Sequence, residues 1–173
     1  MKFSLVVAAD KHLGIGIGGH MPWRLKGDLK YFQDVTTNAP EGKINAVIMG
    51  RKTWDSLPEK HRPLKGRLNV VLSRGQVDLP EGVLLASSLD EAFMKLKNHP
   101  EVGGVHVIGG ANVFSQAIEH PDCEKIYLTE VSGEFEADTF FPKIDESVFK
   151  KTGESEEHEE SGIRYRFAVY ERK

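Results

Sequence analysis

Short apolar runs alternate with turns and helical patterns along most of this chain, and this alternation limits the folds that it can adopt. The first run, Phe3–Ala9, is typical of a strand buried on both faces of a parallel sheet. Further short runs lie at residues 46–49, 68–72, 83–85 and 105–108. Because most of them precede a turn and a helical pattern, the chain is predicted to form an α/β fold with a mostly parallel sheet and helices on both faces.

Two helices and a final strand follow from side-chain spacing. Apolar residues between 25 and 35 recur every three or four positions, which predicts a helix. Ser88 and Glu91 form a capping box, which predicts a second helix start. Between residues 163 and 169 apolar side chains alternate with arginines, which predicts a half-buried antiparallel strand at the C-terminal end.

Charge is distributed unevenly, although the net charge is only −3. Residues 51–74 carry seven basic against two acidic side chains, whereas residues 119–160 carry four against fourteen. The compact basic segment predicts an anionic ligand. Within the acidic part, residues 154–160 are predicted to form a solvated hairpin tip, because like charges repel one another and stay hydrated.

Length and composition exclude several classes of protein. A chain of 173 residues with 39% hydrophobic residues predicts one globular domain. The single Cys123 cannot form an internal disulfide, so a reducing cytoplasm is the expected compartment. The longest apolar run is too short for a membrane span. The seven histidines lack metal-ligand spacing, so no metal site is predicted, and P-loop and serine-hydrolase motifs are missing.

Residues 14–19 contain a literal G-x-G-x-x-G, which we do not interpret as a dinucleotide fingerprint. In that motif the glycines form a tight turn from strand to helix, whereas here four residues separate them from the strand and Pro22 follows closely. Two interpretations stay open. The segment is either a mobile loop that closes over a ligand or a surface loop without a function.

Three strand ends, two with glycine and one with a serine and an arginine, predict a phosphate-binding crevice more convincingly. Gly50 and Gly109 each follow a buried run and precede a helical pattern, where free N–H groups and the helix dipole attract anions. Ser73 and Arg74 follow a third run. The ends of parallel strands meet at one edge of a sheet, so these turns favour a phosphorylated nucleotide as ligand, although glycine also has purely steric uses.

Asp28 is the only acidic residue between Lys11 and Phe32. It is either a capping residue in the first turn of a helix or a carboxylate held in an apolar pocket to pair with a cationic ligand.

The chain resembles the dihydrofolate reductase family over essentially its whole length, most closely the eukaryotic-type forms. The matching stretches occur in the family's order at residues 13–16, 21–23, 28–32, 47–54, 62–67, 72–74, 107–110 and 138–142. This resemblance implies a single domain over residues 1–173, with a mostly parallel eight-stranded sheet, flanking helices and an antiparallel C-terminal strand. Residues 43–119 would form an adenosine-binding subdomain. The implied reaction is NADPH-dependent reduction of 7,8-dihydrofolate to tetrahydrofolate, with hydride passing from nicotinamide C4 to pterin C6.

The resemblance implies a role for each of four residues in catalysis. Asp28 would bind the pterin and favour its protonation at N5, and Thr129 would brace Asp28 through a hydrogen bond. Trp23 would hold a water molecule, and Met21 would belong to a closing loop. The implied folate-binding residues are Val6, Val7, Asp28, Leu29, Phe32, Leu57, Leu64, Arg67, Ile108, Phe114 and Thr129, among which Arg67 would pair with the α-carboxylate of the glutamate tail.

For NADPH the resemblance implies contacts with both halves of the cofactor. Ala8 and Ile15 would contact the nicotinamide, and Arg51, Ser73 and Arg74 would meet the 2′-phosphate. The full implied set is Ala8, Ile15, Gly50, Arg51, Lys52, Thr53, Leu72, Ser73, Arg74, Ser87, Gly109, Gly110, Ala111, Asn112, Val113 and Thr139. A cis peptide is expected between Gly109 and Gly110.

The sequence departs from the family's pattern at three places. Phe114 replaces a tyrosine found in many members, so a slower hydride transfer is expected. Ser87 stands where vertebrate forms often have a basic residue, which leaves cofactor affinity more dependent on Arg51 and Arg74. Residues 17 and 18 replace a polar pair in the closing loop.

The implied ligands are dihydrofolate and antifolates such as methotrexate, without nucleic acid or membrane partners. A monomer is expected, with fusion to or association with thymidylate synthase as a further possibility. Two alternatives stay open: a related reductase of pyrimidine or riboflavin metabolism that shares the fold, and a nucleotide-binding module without enzymatic activity.

Overall fold

Eleven strands and four α-helices make up the computed structural model, which describes residues 1–173. The strands are β1 Phe3–Ala9, β2 Gly14–Gly16, β3 Ile44–Gly50, β4 Arg67–Leu72, β5 Leu84–Ala86, β6 Val102–Gly109, β7 Cys123–Val131, β8 Thr139–Phe140, β9 Phe149–Glu154, β10 His158–Glu160 and β11 Ile163–Arg172. The helices are α1 Lys26–Thr37, α2 Arg51–Ser56, α3 Leu89–Leu96 and α4 Ala111–Ile118. None of these helices has the length and hydropathy needed to cross a bilayer.

The main sheet has nine strands in eight positions, because β9 and β10 both pair with β11 at one edge. From the other edge the order is β5, β4, β3, β6, β1, β7 and β11. The first six of these run parallel, and β11 is antiparallel to β7. The predicted fold class, with a mostly parallel sheet and an antiparallel C-terminal strand, is therefore confirmed.

The apolar core lies on both faces of the sheet, as expected for strands buried on both sides. On one face β1, β6 and β7 contribute to a cluster of 22 buried residues that includes α3 and α4. On the other face Val47, Met49, Trp54 and Val71 form a smaller cluster under α2. Successive side chains of β1 therefore lie on opposite faces of the sheet and have different neighbours.

The predicted start of α3 is confirmed, because the Ser88 hydroxyl accepts a hydrogen bond of 3.1 Å from the Glu91 backbone N–H. The Glu91 carboxylate accepts its backbone hydrogen bond from the Ser87 N–H and not from Ser88, so only the N-cap half of the capping box is formed. Helix α1 runs from Lys26 to Thr37, two residues beyond the predicted apolar pattern. The loop at residues 14–19 does not lead into a helix. It forms β2, which pairs with β8, and a tight turn in which Ile17 pairs with His20.

The prediction for residues 154–160 is wrong in part. This segment is not the tip of the hairpin, because His158–Glu160 form strand β10 and the turn to β11 lies at Ser161 and Gly162, both with positive φ. Charge density in the sequence could not show that β11 supplies Arg164 and Arg166, which neutralise part of this charge through contacts with Glu157 of 3.6 and 3.2 Å.

Asn45 fixes the C-terminal end of α1 to the sheet. Its side-chain amide donates hydrogen bonds of 3.0 and 2.8 Å to the carbonyls of Thr36 and Asn38, and its oxygen accepts one of 2.7 Å from the Gly104 N–H. Asn45 is buried. One side chain on β3 thus satisfies backbone groups of α1 and β6 that would otherwise be unpaired in the core.

We predict that Asn45→Ala lowers the free energy of unfolding by about 2–4 kcal/mol, because it leaves buried backbone groups without partners. Urea unfolding measures the change. The matched control is Asn98→Ala at an exposed position, which should change the free energy by less than about 0.5 kcal/mol. Equal effects of the two substitutions would contradict the role given to Asn45.

Candidate active site

Asp28 lies in the first turn of α1 and is held against the centre of the sheet. The hydroxyl of Thr129 donates a hydrogen bond of 2.7 Å to its Oδ1. Thr129 belongs to β7 and is paired with Ala8 of β1. Both partners are buried, with Asp28 only 7% exposed. The fold therefore brings together two residues that are 101 positions apart in the chain.

Burial raises the pKa of Asp28, and the hydrogen bond from Thr129 opposes this effect in part. A carboxylate in such surroundings gains more from a cationic or strongly donating ligand than an exposed one does. Trp23 has a buried indole N–H without a partner in the protein. It packs edge-on against Phe135 at 5.1 Å between ring centroids, in a cluster with Leu25 and Tyr165 beside the start of α1.

The two valines of β1 face opposite sides of the sheet. Val6 lies on the same face as Ala8 and Thr129, since residues two apart in a strand share a face. Val7 packs in the main core cluster with Leu5. The side chain of Val7 lies on the face of the sheet that packs against the cluster containing Phe114, and both valines stay predicted folate contacts.

Arg67 is held in place by α1. Its Nη1 donates a hydrogen bond of 2.9 Å to the Thr36 hydroxyl, and its Nε donates one of 2.9 Å to the carbonyl of Lys65. Partial burial lowers the pKa of Arg67, but the guanidinium stays charged at any physiological pH. Thr36 was not predicted from the sequence, because nothing in the pattern of α1 links it to a residue 31 positions away.

The other predicted folate-binding side chains are apolar and differ in burial. Leu57, Leu64 and Ile108 are half-buried and pack on the Trp54 cluster. Phe32 is half-buried on α1, and Leu29 is 37% exposed. Phe114 is fully buried and packs edge-on against Phe141 at 5.1 Å.

The strand ends that were predicted to meet do lie side by side. Gly50 at the end of β3 is paired with Leu72 of β4, which is paired in turn with Ala86 of β5. On the other side of β3, Met49 is paired with Gly109 of β6. Four adjacent parallel strands thus end at one edge, which is where ligands bind in open α/β sheets.

The glycine-containing ends of β3 and β6 fit a pyrophosphate. Gly110 precedes α4 without a side-chain cap, so the first N–H groups of that helix are free for an anion. Gly109 has a φ of +133°, and a Cβ there would lie 3.3 Å from the Thr53 hydroxyl. At Gly50 a Cβ would lie 3.1 Å from Val113. The predicted cis peptide between Gly109 and Gly110 is present.

Basic side chains surround this edge. Arg51 and Arg74 are exposed, and Arg51 makes a loose contact of 3.6 Å with Asp55. Ser73 accepts a hydrogen bond of 3.2 Å from the Gly75 N–H, which leaves its own proton free to donate. Ser87 lies at the same edge, and its hydroxyl and N–H both donate hydrogen bonds to the carboxylate of Glu91, the acidic residue of the predicted capping box.

The loop that contains Met21 is tied to the β7–β8 connection. Asp138 accepts a hydrogen bond of 3.0 Å from the Gly18 N–H, and Thr139 of β8 is paired with Gly16 of β2. Met21 itself is 46% exposed. Ile15 is half-buried between these elements and packs against the main core.

Asp10 is a further functional candidate that the sequence reasoning did not identify. Its buried carboxylate accepts hydrogen bonds from the N–H groups of His12, Gly14 and Phe135 at 2.9, 2.8 and 3.0 Å. It therefore joins the loop before β2 to the loop before β8. The sequence does offer one signal for Asp10, which is an acidic residue directly after the buried strand Phe3–Ala9.

Comparison with known proteins agrees with this geometry. The dihydrofolate reductase family model matches residues 2–172. The chain belongs to the dihydrofolate reductase family. It is 47% identical to dihydrofolate reductase of Rattus norvegicus, over 97% of this chain and 96% of that protein. It is 42% identical to the enzyme of Heliothis virescens, over 99% of this chain and 98% of that protein.

Solved structures and longer relatives extend the comparison. Schistosoma mansoni dihydrofolate reductase has a TM-score of 0.89 and 36% identity, over 100% of this chain and 99% of that one. A bifunctional dihydrofolate reductase-thymidylate synthase of Daucus carota is 46% identical, over 98% of this chain but 34% of that protein. As a member of this family the chain is an oxidoreductase that reduces dihydrofolate, and NADPH is its cofactor.

We predict that Asp28→Asn raises the free energy of unfolding at pH 7 by about 0.5–2 kcal/mol, as other stabilising substitutions do. The physical reason is that burial penalises the charged carboxylate. Since its folded pKa is raised, Asp28 contributes stability below its ordinary pKa and loses it as pH rises through the raised pKa.

Urea unfolding at pH 7 and at pH 3 tests this prediction, and the gain should vanish at pH 3. Asp34→Asn is the control on the same helix, since Asp34 is exposed and pairs with Lys30 at 2.8 Å. A variant at position 28 that is less stable than wild type at pH 7 would contradict the prediction.

Proposed function

We propose that Asp28 is the carboxylate that binds the pterin ring of dihydrofolate during its reduction to tetrahydrofolate. The buried hydrogen bond from Thr129 carries this proposal, because it fixes one carboxylate oxygen and leaves the other free for the ligand. Asp28 would accept hydrogen bonds from the 2-amino group and N3 of the pterin. Its negative charge would favour protonation at N5, the atom beside the carbon that receives hydride.

Residues around Asp28 would orient the substrate and exclude water. The unpartnered N–H of Trp23 is suited to hold a bridging water, and Met21 would cover the ring from its loop. Apolar contacts would come from Val6, Val7, Leu29, Phe32, Leu57, Leu64, Ile108 and Phe114. Arg67, oriented by Thr36, would pair with the α-carboxylate of the glutamate tail in the bidentate manner typical of arginine.

The edge formed by β6, β3, β4 and β5 would hold NADPH, which supplies the hydride when bound. Free N–H groups at the start of α4 would bind the pyrophosphate, together with residues 50–53. Ala8, Ile15 and Thr139 would lie near the nicotinamide. Arg51, Ser73 and Arg74 would bind the 2′-phosphate, with Lys52, Leu72, Ser87, Asn112 and Val113 as further contacts.

The proposal extends to organisation and location. Residues 1–173 would form one reductase domain, with residues 43–119 as its adenosine-binding subdomain. The protein would act as a cytoplasmic monomer that supports one-carbon and thymidylate metabolism and binds antifolates such as methotrexate. The bifunctional plant relatives support, for this chain, a proposed association with thymidylate synthase.

Replacing Asp28 with Asn tests its role in catalysis. We expect kcat/KM for dihydrofolate at pH 7 to fall by at least about 30-fold, because loss of a buried charged partner costs about 2–5 kcal/mol. The measurement is the loss of NADPH absorbance between pH 5 and 9. The exposed Asp34→Asn serves as the control. A variant that keeps the wild-type rate at neutral pH would reduce Asp28 to a capping residue.

Cofactor choice tests the basic edge. Two charge-assisted hydrogen bonds of about 1.5–3 kcal/mol each predict at least about 100-fold higher kcat/KM with NADPH than with NADH. Arg74→Gln should lower the value for NADPH by about 10-fold or more and leave NADH unchanged. Arg164→Gln, at an exposed position on β11, is the matched control. Equal use of both cofactors by the wild type would remove the basis for assigning Arg51 and Arg74.

A further inference from the structure

The first turn of α1 is capped by a side chain from the other end of the protein. Leu25 precedes the helix and provides no side-chain hydrogen bond. Instead the Glu160 carboxylate accepts hydrogen bonds of 2.7 Å from the Lys26 N–H and 3.1 Å from the Gly27 N–H. These are two of the N–H groups that every helix leaves unpaired at its start. Glu160 thus replaces a local cap and places a negative charge at the positive end of the helix dipole.

The hairpin of β10 and β11 also contacts α1 through aromatic side chains. Tyr165 lies so close to Gly27 that a Cβ there would collide with its hydroxyl. Two residues further along β11, the ring of Phe167 stacks on Tyr31 of α1 with 3.9 Å between centroids. The hairpin therefore contacts α1 from its start at Lys26 to Tyr31, and this part of the helix includes Asp28.

The charges around Glu160 keep it ionised and oriented. Hydrogen bonds from the Lys26 and Gly27 backbone, assisted by the nearby positive charges of Lys26 and Arg24, hold the pKa of Glu160 below its usual value. On β11, which pairs with β10, burial raises the pKa of the Tyr165 phenol, and the negative charges of Glu160 and Asp28 raise it further. A carboxylate with a lowered pKa favours its ionised form, which is the form that accepts these hydrogen bonds most strongly.

We propose that Glu160 is a positioning residue for Asp28. By closing the first turn of α1, it sets the backbone from which the Asp28 side chain projects, while Thr129 sets the direction of the carboxylate itself. This inference rests on the proposed role of Asp28. A binding carboxylate must stay within about 0.5 Å of its productive position, and a frayed first turn would allow larger movements.

Two substitutions test the positioning role, with a matched control on the same strand. Glu160→Ala removes both hydrogen bonds, whereas Glu160→Gln keeps one oxygen that can accept. Glu159→Ala removes an exposed neighbouring charge that only approaches Arg164 at 3.9 Å. The readouts are kcat and KM for dihydrofolate, KM for NADPH, the rate of hydride transfer in a single turnover, and Tm.

We expect Glu160→Ala to lower kcat/KM for dihydrofolate by about 5–30-fold at 25 °C, which is the factor that loss of a cap produces in a local equilibrium. Glu160→Gln should restore at least part of this loss. KM for NADPH should change by less than about 2-fold, since the proposed cofactor edge lies at other strands. Glu159→Ala should behave as wild type in every readout. A fall in Tm with unchanged kcat/KM would overturn the proposal, because Glu160 would then serve stability alone.

A double-mutant cycle separates this inference from the proposed function. In the Asp28→Asn background, Glu160→Ala should have little further effect on hydride transfer, because both act through the same carboxylate. Additive effects would overturn the positioning role. If Asp28→Asn alone keeps the wild-type rate, the proposed function fails. If Asp28→Asn is impaired and Glu160→Ala is not, only the inference fails.

Discussion

The buried hydrogen bond from Thr129 to Asp28 holds helix α1 against the sheet, and the arrangement of the folate side depends on it. The helix is attached at three levels by side chains of distant strands. Glu160 binds its first turn, Thr129 its buried carboxylate, and Asn45 the carbonyls at its end. Because backbone groups at helix ends need partners when they are near the core, these contacts determine where α1 lies as well as how stable it is.

The same helix connects the two ends of the proposed substrate. Asp28 near its start would bind the pterin, and Thr36 near its end holds the guanidinium of Arg67, which would pair with the glutamate tail. The distance between these anchors is determined by the rise of an α-helix, about 1.5 Å per residue. A rigid helix of 12 residues therefore keeps the two proposed binding groups at a fixed distance, which suits an extended ligand. The proposed cofactor site is built differently, from four adjacent strands that end at one edge of the sheet.

Local patterns predicted part of the fold. Apolar runs identified β1, β3, β4, β5 and β6 but not the buried strand β7, the capping box identified the start of α3, and glycines marked the ends of β3 and β6, since these features depend on neighbouring residues. The errors lie where partners are remote. Residues 154–160 looked like a hydrated tip because the strand that pairs with them and the helix that Glu160 caps could not be inferred from their own composition.

The sequence by itself determined the family, the positions of β1, β3, β4, β5, β6 and β11, and the identity of the charged residues proposed to bind a dinucleotide and a folate. Motifs of a few residues encode these properties, and each can be read without knowing where the rest of the chain lies. The tertiary structure alone decided which carboxylates are buried, which face outward, and which act as caps: Asp28 is buried beside Thr129, and Glu160 caps α1. These outcomes depend on burial and on contacts between residues that are far apart in sequence, and such contacts exist only once the sheet has formed.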